Sequence, residues 1–203
     1  ALEKDADISY LPHYGLLDLR LTARSRDSYE AEAQIAHVET RIREVAGDHV
    51  YATGTTPLTE VIGGLLVNRG QNVAVGESCT GGLVADTMTD VPGASRWLER
   101  GWVTYSNEAK AEDLGVDPQL FEAHGAVSEE VATAMADGAR VVARTSWGLA
   151  STGIAGPTGA TESKPVGAVC IAVSCFDKAN ARRLYLAGDR RRAGRGRLDR
   201  RLE

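Results

Sequence analysis

The sequence predicts a three-layer α/β/α domain with a mainly parallel sheet, preceded by a small α+β segment. Three observations predict it. From residue 56 onward, apolar runs of strand length alternate with stretches of helical periodicity. One run, Val73-Ala74-Val75-Gly76-Glu77-Ser78-Cys79-Thr80-Gly81-Gly82, passes from buried-strand character through small polar residues into the helical spacing of Leu83 to Met88. Glycine or proline punctuates most of the junctions. With 203 residues, 43% hydrophobic and 25% charged, the chain is long enough to bury a core.

In order, Ile8-Ser9-Tyr10-Leu11 and Leu16-Leu17-Asp18-Leu19-Arg20-Leu21-Thr22 read as strands, the second alternating as a half-exposed strand does. Asp27 is placed to cap the next helix, with Glu30 three residues on. Ile35, Val38, Ile42 and Val45 give that helix its apolar face, and Gly47 ends it. His49-Val50-Tyr51 is expected to add a strand. The segment 1–52 is too small to fold alone, and the boundary falls at Ala52-Thr53-Gly54-Thr55, leaving 56–203 as the second domain. Thr56-Pro57 opens a helix with Leu58, Val61, Ile62, Leu65 and Leu66 on one face and Gly70 beyond its end. After the strand at 73–77 and the turn Val91-Pro92-Gly93, Trp102-Val103-Thr104-Tyr105 reads as a strand running into a helix capped by Asn107. Asp117-Pro118 starts a short helix. Ser128 caps a long one with the face Val131, Ala134, Met135, Gly138 and Val142. Gly148 to Thr152, Val166 to Ser174 and Arg182 to Leu186 are the remaining expected strands.

Composition narrows the function classes. A net charge of -5 argues against general nucleic-acid affinity, although nine arginines crowd between Arg182 and Arg201. No stretch of 18 apolar residues is present, and the acidic start lacks the apolar core of a signal peptide, so neither a membrane span nor export is expected. Cys79, Cys170 and Cys175 form no CxxC pair and read as reduced cytoplasmic thiols. The four histidines, His13, His37, His49 and His124, show no ligand spacing, so no protein-built metal site and no cofactor are expected.

Chemistry is expected where the strand at 73–77 ends. Ser78 or Thr80 there serves either as a plain helix cap or as a group at the carboxyl end of a strand, where open α/β sheets bind ligands. The helix start beyond can serve an oxyanion or a phosphate. No GxSxG elbow is present and no histidine is placed for a Ser-His-Asp triad, so a serine nucleophile needs another base. Tyr105-Ser106-Asn107-Glu108-Ala109-Lys110 offers one. A lysine in a first helical turn faces the positive dipole end, which disfavours its ammonium form, and partial burial adds to this. Tyr105 can relay a proton; the alternative is an ordinary surface lysine. Cys79 is either a small buried filler or a thiol made reactive at a helix start. The loop Gly153-Ile154-Ala155-Gly156-Pro157-Thr158-Gly159 marks a turn or a backbone approach to phosphate or sugar.

Taken together and in order, Glu77-Ser78-Cys79-Thr80-Gly81-Gly82, Asp90-Val91-Pro92-Gly93-Ala94-Ser95, Val103-Thr104-Tyr105-Ser106-Asn107-Glu108-Ala109-Lys110, His124-Gly125-Ala126-Val127-Ser128-Glu129, Thr152-Gly153-Ile154-Ala155-Gly156-Pro157, Lys164-Pro165-Val166-Gly167 and Gly188-Asp189-Arg190 closely resemble the carboxyl-terminal domain of the CinA family of competence/damage-inducible proteins. Residues 5–51 resemble that family's small middle domain. The resemblance spans about residues 57–192 for the carboxyl-terminal domain, whose PncC-type enzymes are nicotinamide-nucleotide amidases. It implies hydrolysis of the carboxamide of nicotinamide mononucleotide, with Ser78 as nucleophile and Tyr105 and Lys110 as activating partners. N–H groups near Thr80 and Gly81 would steady the oxyanion. The expected substrate contacts are Glu77, Thr80, Gly81, Gly82, Asn107, Thr152, Gly153, Ala155, Gly156 and Arg190. The family's usual terminal amphipathic helix is not expected after Arg190, where Arg191-Arg192-Ala193-Gly194-Arg195-Gly196-Arg197 lacks apolar spacing. The alternative reading is a non-catalytic nucleotide- or partner-binding module linked to competence and DNA uptake. An exposed strand edge would favour a homodimer.

Overall fold

The computed structural model describes residues 6–13 and 16–186, and the chain divides into two compact units, 1–58 and 59–203. The expected Gly188-Asp189-Arg190 segment and the arginine-rich end lie outside the described residues.

In the first unit, β1 (Asp7–His13) and β2 (Leu16–Thr22) form an antiparallel pair, and α1 (Ser28–Ala46) packs against β2. Asp27 caps α1 by accepting from the Tyr29 N–H, as its position predicts. Glu30 does not close a capping box; it accepts from the Ser25 hydroxyl at 2.6 Å. Gly47 ends α1 with φ +54, a conformation that costs glycine little. The strand expected at His49-Val50-Tyr51 is absent, because Gly47 to His49 turn as a short 3-10 segment instead. Of the expected α1 face, Val38 is fully buried and Val45 is exposed.

The second unit holds α2 (Leu58–Asn68), β3 (Val73–Glu77), α3 (Leu83–Thr89), β4 (Leu98–Val103), α4 (Asn107–Leu114), α5 (Pro118–His124), α6 (Glu129–Ala143), β5 (Trp147–Gly153), β6 (Ala168–Ser174) and β7 (Ala179–Tyr185). The sheet order is β4-β3-β5-β6-β7. β3 runs parallel to β4 and β5, whereas β6 is antiparallel to both β5 and β7. The sheet is therefore mixed, which corrects the mainly parallel sheet expected from the sequence. The reason is connectivity. A parallel neighbour needs a crossover of a dozen or more residues, usually a helix. Between β5 and β6 there is a loop without a helix, and β6 and β7 are joined by a tight turn in which the Cys175 N–H donates to the Lys178 carbonyl.

Alternation along β3 divides the core. Val73 and Val75 pack with Met88, Val91, Ala94 and Trp97 on one face; Ala74 packs with Leu114, Val131, Met135, Ala150 and Cys170 on the other. The buried face of α6 is Val131, Ala132, Met135, Ala136 and Ala139, rotated from the expected one so that Val142 is exposed. On α2, Leu66 and Val67 reach the core, while Leu58, Ile62 and Leu65 stay exposed. Two glycines set the spacing of this layer. A Cβ at Gly138 would lie 1.9 Å from the Leu114 carbonyl oxygen, and one at Gly148 would lie 1.9 Å from that of Ala136. Both contacts are backbone, so no side-chain rearrangement relieves them, and α4 and β5 approach α6 only because these methyl groups are missing.

Candidate active site

β3 carries its chain into the site fully buried, and its last residue is a carboxylate. Glu77 is 1% exposed, yet no cation pairs with it among the described residues. Its oxygens instead accept from the N–H groups of Gly82 (3.0 Å), Val84 (3.1 Å) and Ala85 (2.8 Å). These are the donors that the start of a helix leaves without intrahelical partners, and a carboxylate there also meets the positive end of the dipole. α3 is thus capped from the preceding strand. Neither Ser78 nor Thr80 is its cap; the cap position belongs to Gly82, with φ +99. Glu77→Leu removes three charge-assisted hydrogen bonds at once and leaves buried donors behind. It is expected to lower the unfolding free energy by about 3–5 kcal/mol in urea titrations, with Glu77→Gln costing about half as much.

The turn between β3 and α3 is tied to the neighbouring strand. The Ser78 N–H donates to the Ser151 carbonyl at 3.0 Å, and the hydroxyls of Thr80 and Ser151 lie 2.7 Å apart. The Gly81 N–H donates to the Ser78 carbonyl. Of the N–H groups near Thr80 and Gly81 expected to steady an oxyanion, that of Gly81 is therefore engaged within the turn, and the neighbouring Gly82 N–H is taken by Glu77.

Opposite stands Lys110. Its helix begins one residue earlier than expected: Ser106, not Asn107, is the cap of α4, its hydroxyl accepting from the Ala109 N–H. This puts Lys110 where its side chain folds back under the β4–α4 turn. Lys110 is 2% exposed, and its Nζ donates to the carbonyls of Thr104 (3.0 Å), Tyr105 (3.3 Å) and Ser106 (3.2 Å). Burial pushes its pKa below the usual lysine range, opposed by weaker attraction from Cys79 and Glu108. Burial, which the sequence reading treated as a secondary addition, is the leading cause. The three carbonyls act in the other sense, since each is an acceptor ready for a protonated amine.

Ser78, Tyr105 and Lys110 line one cavity of about 240 Å³. Its wall is completed by Cys79, Asn107, Ala126, Val127, and the loop from Thr152 through Gly159. Thr152 is buried and donates to the Ala126 carbonyl at 2.8 Å, joining the loop side to the segment ahead of α6. Cys79 is buried beside Gly153, where a Cβ would meet its sulfur at 3.0 Å. Of the expected contacts, Asn107, Thr152, Gly153, Ala155 and Gly156 line the cavity; Thr80 does not, its hydroxyl pairing with that of Ser151, and Glu77, Gly81 and Gly82 are engaged in capping and turn bonds. Arg190 lies outside the described residues. Ser151 escaped the sequence reading because its contact with Thr80 spans 71 residues and leaves no local signature. Among the described residues no helix is long and apolar enough to cross a membrane, and no group of three or more His, Cys, Asp or Glu side chains is placed to hold a metal ion.

Comparison with known proteins finds two family matches along the chain. Residues 55–200 match the family described as the CinA C-terminal domain, and residues 2–52 match the damage-inducible protein CinA KH domain. The chain is 45% identical over 195 residues to a CinA-like protein of Chlorobium luteolum, covering 94% of this chain and 45% of that protein. It is 47% identical over 167 residues to a CinA-like protein of Chlorobium chlorochromatii, covering 82% and 40%. The chain thus spans less than half the length of these relatives. Among solved structures, a competence or damage-inducible protein from Enterobacter asburiae superposes with a TM-score of 0.64 at 32% identity, covering 66% of this chain and 84% of that one. The competence/damage-inducible protein CihA from Agrobacterium tumefaciens superposes with a TM-score of 0.61 at 33% identity, covering 74% and 98%.

Proposed function

The chain belongs to the CinA family, and from that membership together with the geometry of the cavity we propose that its second unit is an amidohydrolase converting nicotinamide mononucleotide to nicotinate mononucleotide and ammonia. The observation that carries the reading is a buried lysine sharing one cavity with a serine and a tyrosine. A solvated lysine is protonated near neutral pH and cannot take a proton. One removed from water is a better candidate for a general base, and burial is the leading influence on Lys110.

In the proposed sequence Ser78 Oγ attacks the carboxamide carbon and its proton passes to Lys110 Nζ, directly or through the Tyr105 hydroxyl. The carbonyls of Thr104, Tyr105 and Ser106 then have a full ammonium to accept from, which favours the transfer. Collapse of the tetrahedral intermediate breaks the C–N bond, and the Lys110 proton leaves with nitrogen as ammonia. Water attacks the resulting ester, gives its proton to Lys110, and Ser78 departs with that proton restored. The loop from Gly153 to Gly156 is the proposed wall for the ribose and phosphate.

The test is direct. Incubated with nicotinamide mononucleotide, the protein is expected to release ammonia and nicotinate mononucleotide in equal amounts with saturable kinetics, followed by coupled ammonia assay and proton NMR. A chain that releases no ammonia above the buffer rate overturns the reading.

A further inference from the structure

β5 connects to β6 through residues 154–167, and the first part of that connection forms one wall of the cavity. A connection of this length without a helix or strand is uncommon in a compact domain, and its usual use is functional. At its base the Ile154 N–H donates to the Ala168 carbonyl (2.9 Å) and the Gly167 N–H to the Ile154 carbonyl (2.8 Å). At its tip Thr161 and Lys164 exchange backbone hydrogen bonds of 2.9 and 3.2 Å. Between base and tip, residues 155–160 make no backbone–backbone hydrogen bond to another described residue. Side chains therefore fix their place. Two reach across to the end of α5 and the segment after it, which supplies Ala126 and Val127 to the same cavity. Thr152 does so at the base, through the Ala126 carbonyl. Lys164, half-buried, does so from the tip, its Nζ donating to the His124 carbonyl at 2.6 Å. His124 ends α5, so that carbonyl has no partner within the helix and lies at the negative end of the dipole, where an amine is favoured. A Cβ at Gly125 would lie 2.9 Å from the same nitrogen, so the glycine leaves open the space the amine occupies.

We propose that Lys164 is a positioning residue that latches this connection to α5 and so holds the 153–159 wall against the nucleotide bound beside Ser78. The latch reaches the wall through packing. Lys164 is followed by Pro165 and Val166, and Val166 lies so close to Gly156 that a Cβ on the glycine would meet its Cγ1 at 2.7 Å. The fixed φ of Pro165 stiffens the short link between the pinned residue and that contact. Gly156 is itself a wall residue. Lys164 does not line the cavity, and Ser78, Tyr105 and Lys110 stand on the β3–α3 and β4–α4 segments, so the latch bears on binding and not on proton transfer. The inference rests on the amidase reading for the identity of the bound molecule, nicotinamide mononucleotide.

Two substitutions in the intact chain test it. Lys164→Met keeps the unbranched stem and removes the donor, whereas Lys164→Arg keeps a donor. Lys164→Met is expected to raise KM for nicotinamide mononucleotide by about three- to tenfold, the factor one partly solvated hydrogen bond carries, with kcat within about twofold of wild type. Amide hydrogen exchange across 153–167, followed by mass spectrometry, is expected to quicken in the same variant while that of α6 holds. Lys164→Arg is expected to bring both quantities back toward wild type. An unchanged KM in Lys164→Met, a loss that falls on kcat, or a raised KM with exchange at the wild-type rate overturns the proposal and leaves the amidase reading intact. If the wild type releases no ammonia, the amidase reading fails by itself, and calorimetric affinity for nicotinamide mononucleotide takes the place of KM. Weaker binding together with faster exchange across 153–167 then upholds the latch, and unchanged affinity or no binding ends it.

Discussion

Ser78→Ala is expected to reduce ammonia release from nicotinamide mononucleotide at least about a thousandfold, to near the level of a reaction without covalent catalysis. The substitution removes the proposed attacking oxygen and little else. Ser78 is buried, its N–H stays bonded to the Ser151 carbonyl, and its carbonyl still accepts from Gly81, so the turn keeps its backbone ties. Fold and affinity for the nucleotide are therefore expected to survive, the loss falling on kcat with KM little changed. Steady-state kinetics with calorimetric binding to the variant checks this. A Ser78→Ala protein that turns over at the wild-type rate removes the serine from the reaction and points to a directly activated water.

Lys110→Met is expected to lower kcat by about 10²- to 10⁴-fold, the range for losing a general base. Methionine keeps an unbranched side chain of similar reach, so the cavity wall is largely retained. The pH profile is the sharper readout. Activity that needs a neutral amine rises with pH through the depressed pKa of Lys110 and then levels off, and that rising limb is expected to vanish in the variant. Stability follows the same group with a definite sign. A lysine whose folded pKa lies below its unfolded value binds fewer protons when folded, so stability increases as pH climbs from the folded pKa toward the ordinary lysine range. Lys110→Met is expected to flatten that slope. Urea titrations across the alkaline range report it, and an unaltered slope would mean that burial does not govern this amine.

Much of the architecture was legible because its signals are local. Asp27, Asp117 and Ser128 are followed by helical periodicity, and each accepts from an N–H of the helix it precedes. Ser106 and Asn107 are adjacent and equally good capping types, so the choice between them depends on which side chain reaches the Ala109 N–H. The run from Val73 to Gly82 reads as strand, turn and helix without any tertiary information. What could not be read is non-local. Glu77 is expected as a substrate contact at a strand end, but it closes a helix whose donors lie five to eight positions ahead. Ser151 looks like an ordinary strand residue until the sheet brings it beside Thr80. The directions of β6 and β7 follow from a missing crossover helix, an absence that alternation of apolar runs does not register.

The missing methyl at Gly138 reaches further than the core. It lets the Leu114 carbonyl rest against α6, and Leu114 closes the same short helix that carries Lys110. Lys110 lies one helical turn before that resting point, so the approach of α4 to α6 bears on the helix that carries the amine. The closeness allowed to two backbones on the far side of α4 is thus a feature that substitutions confined to the cavity wall would leave untouched.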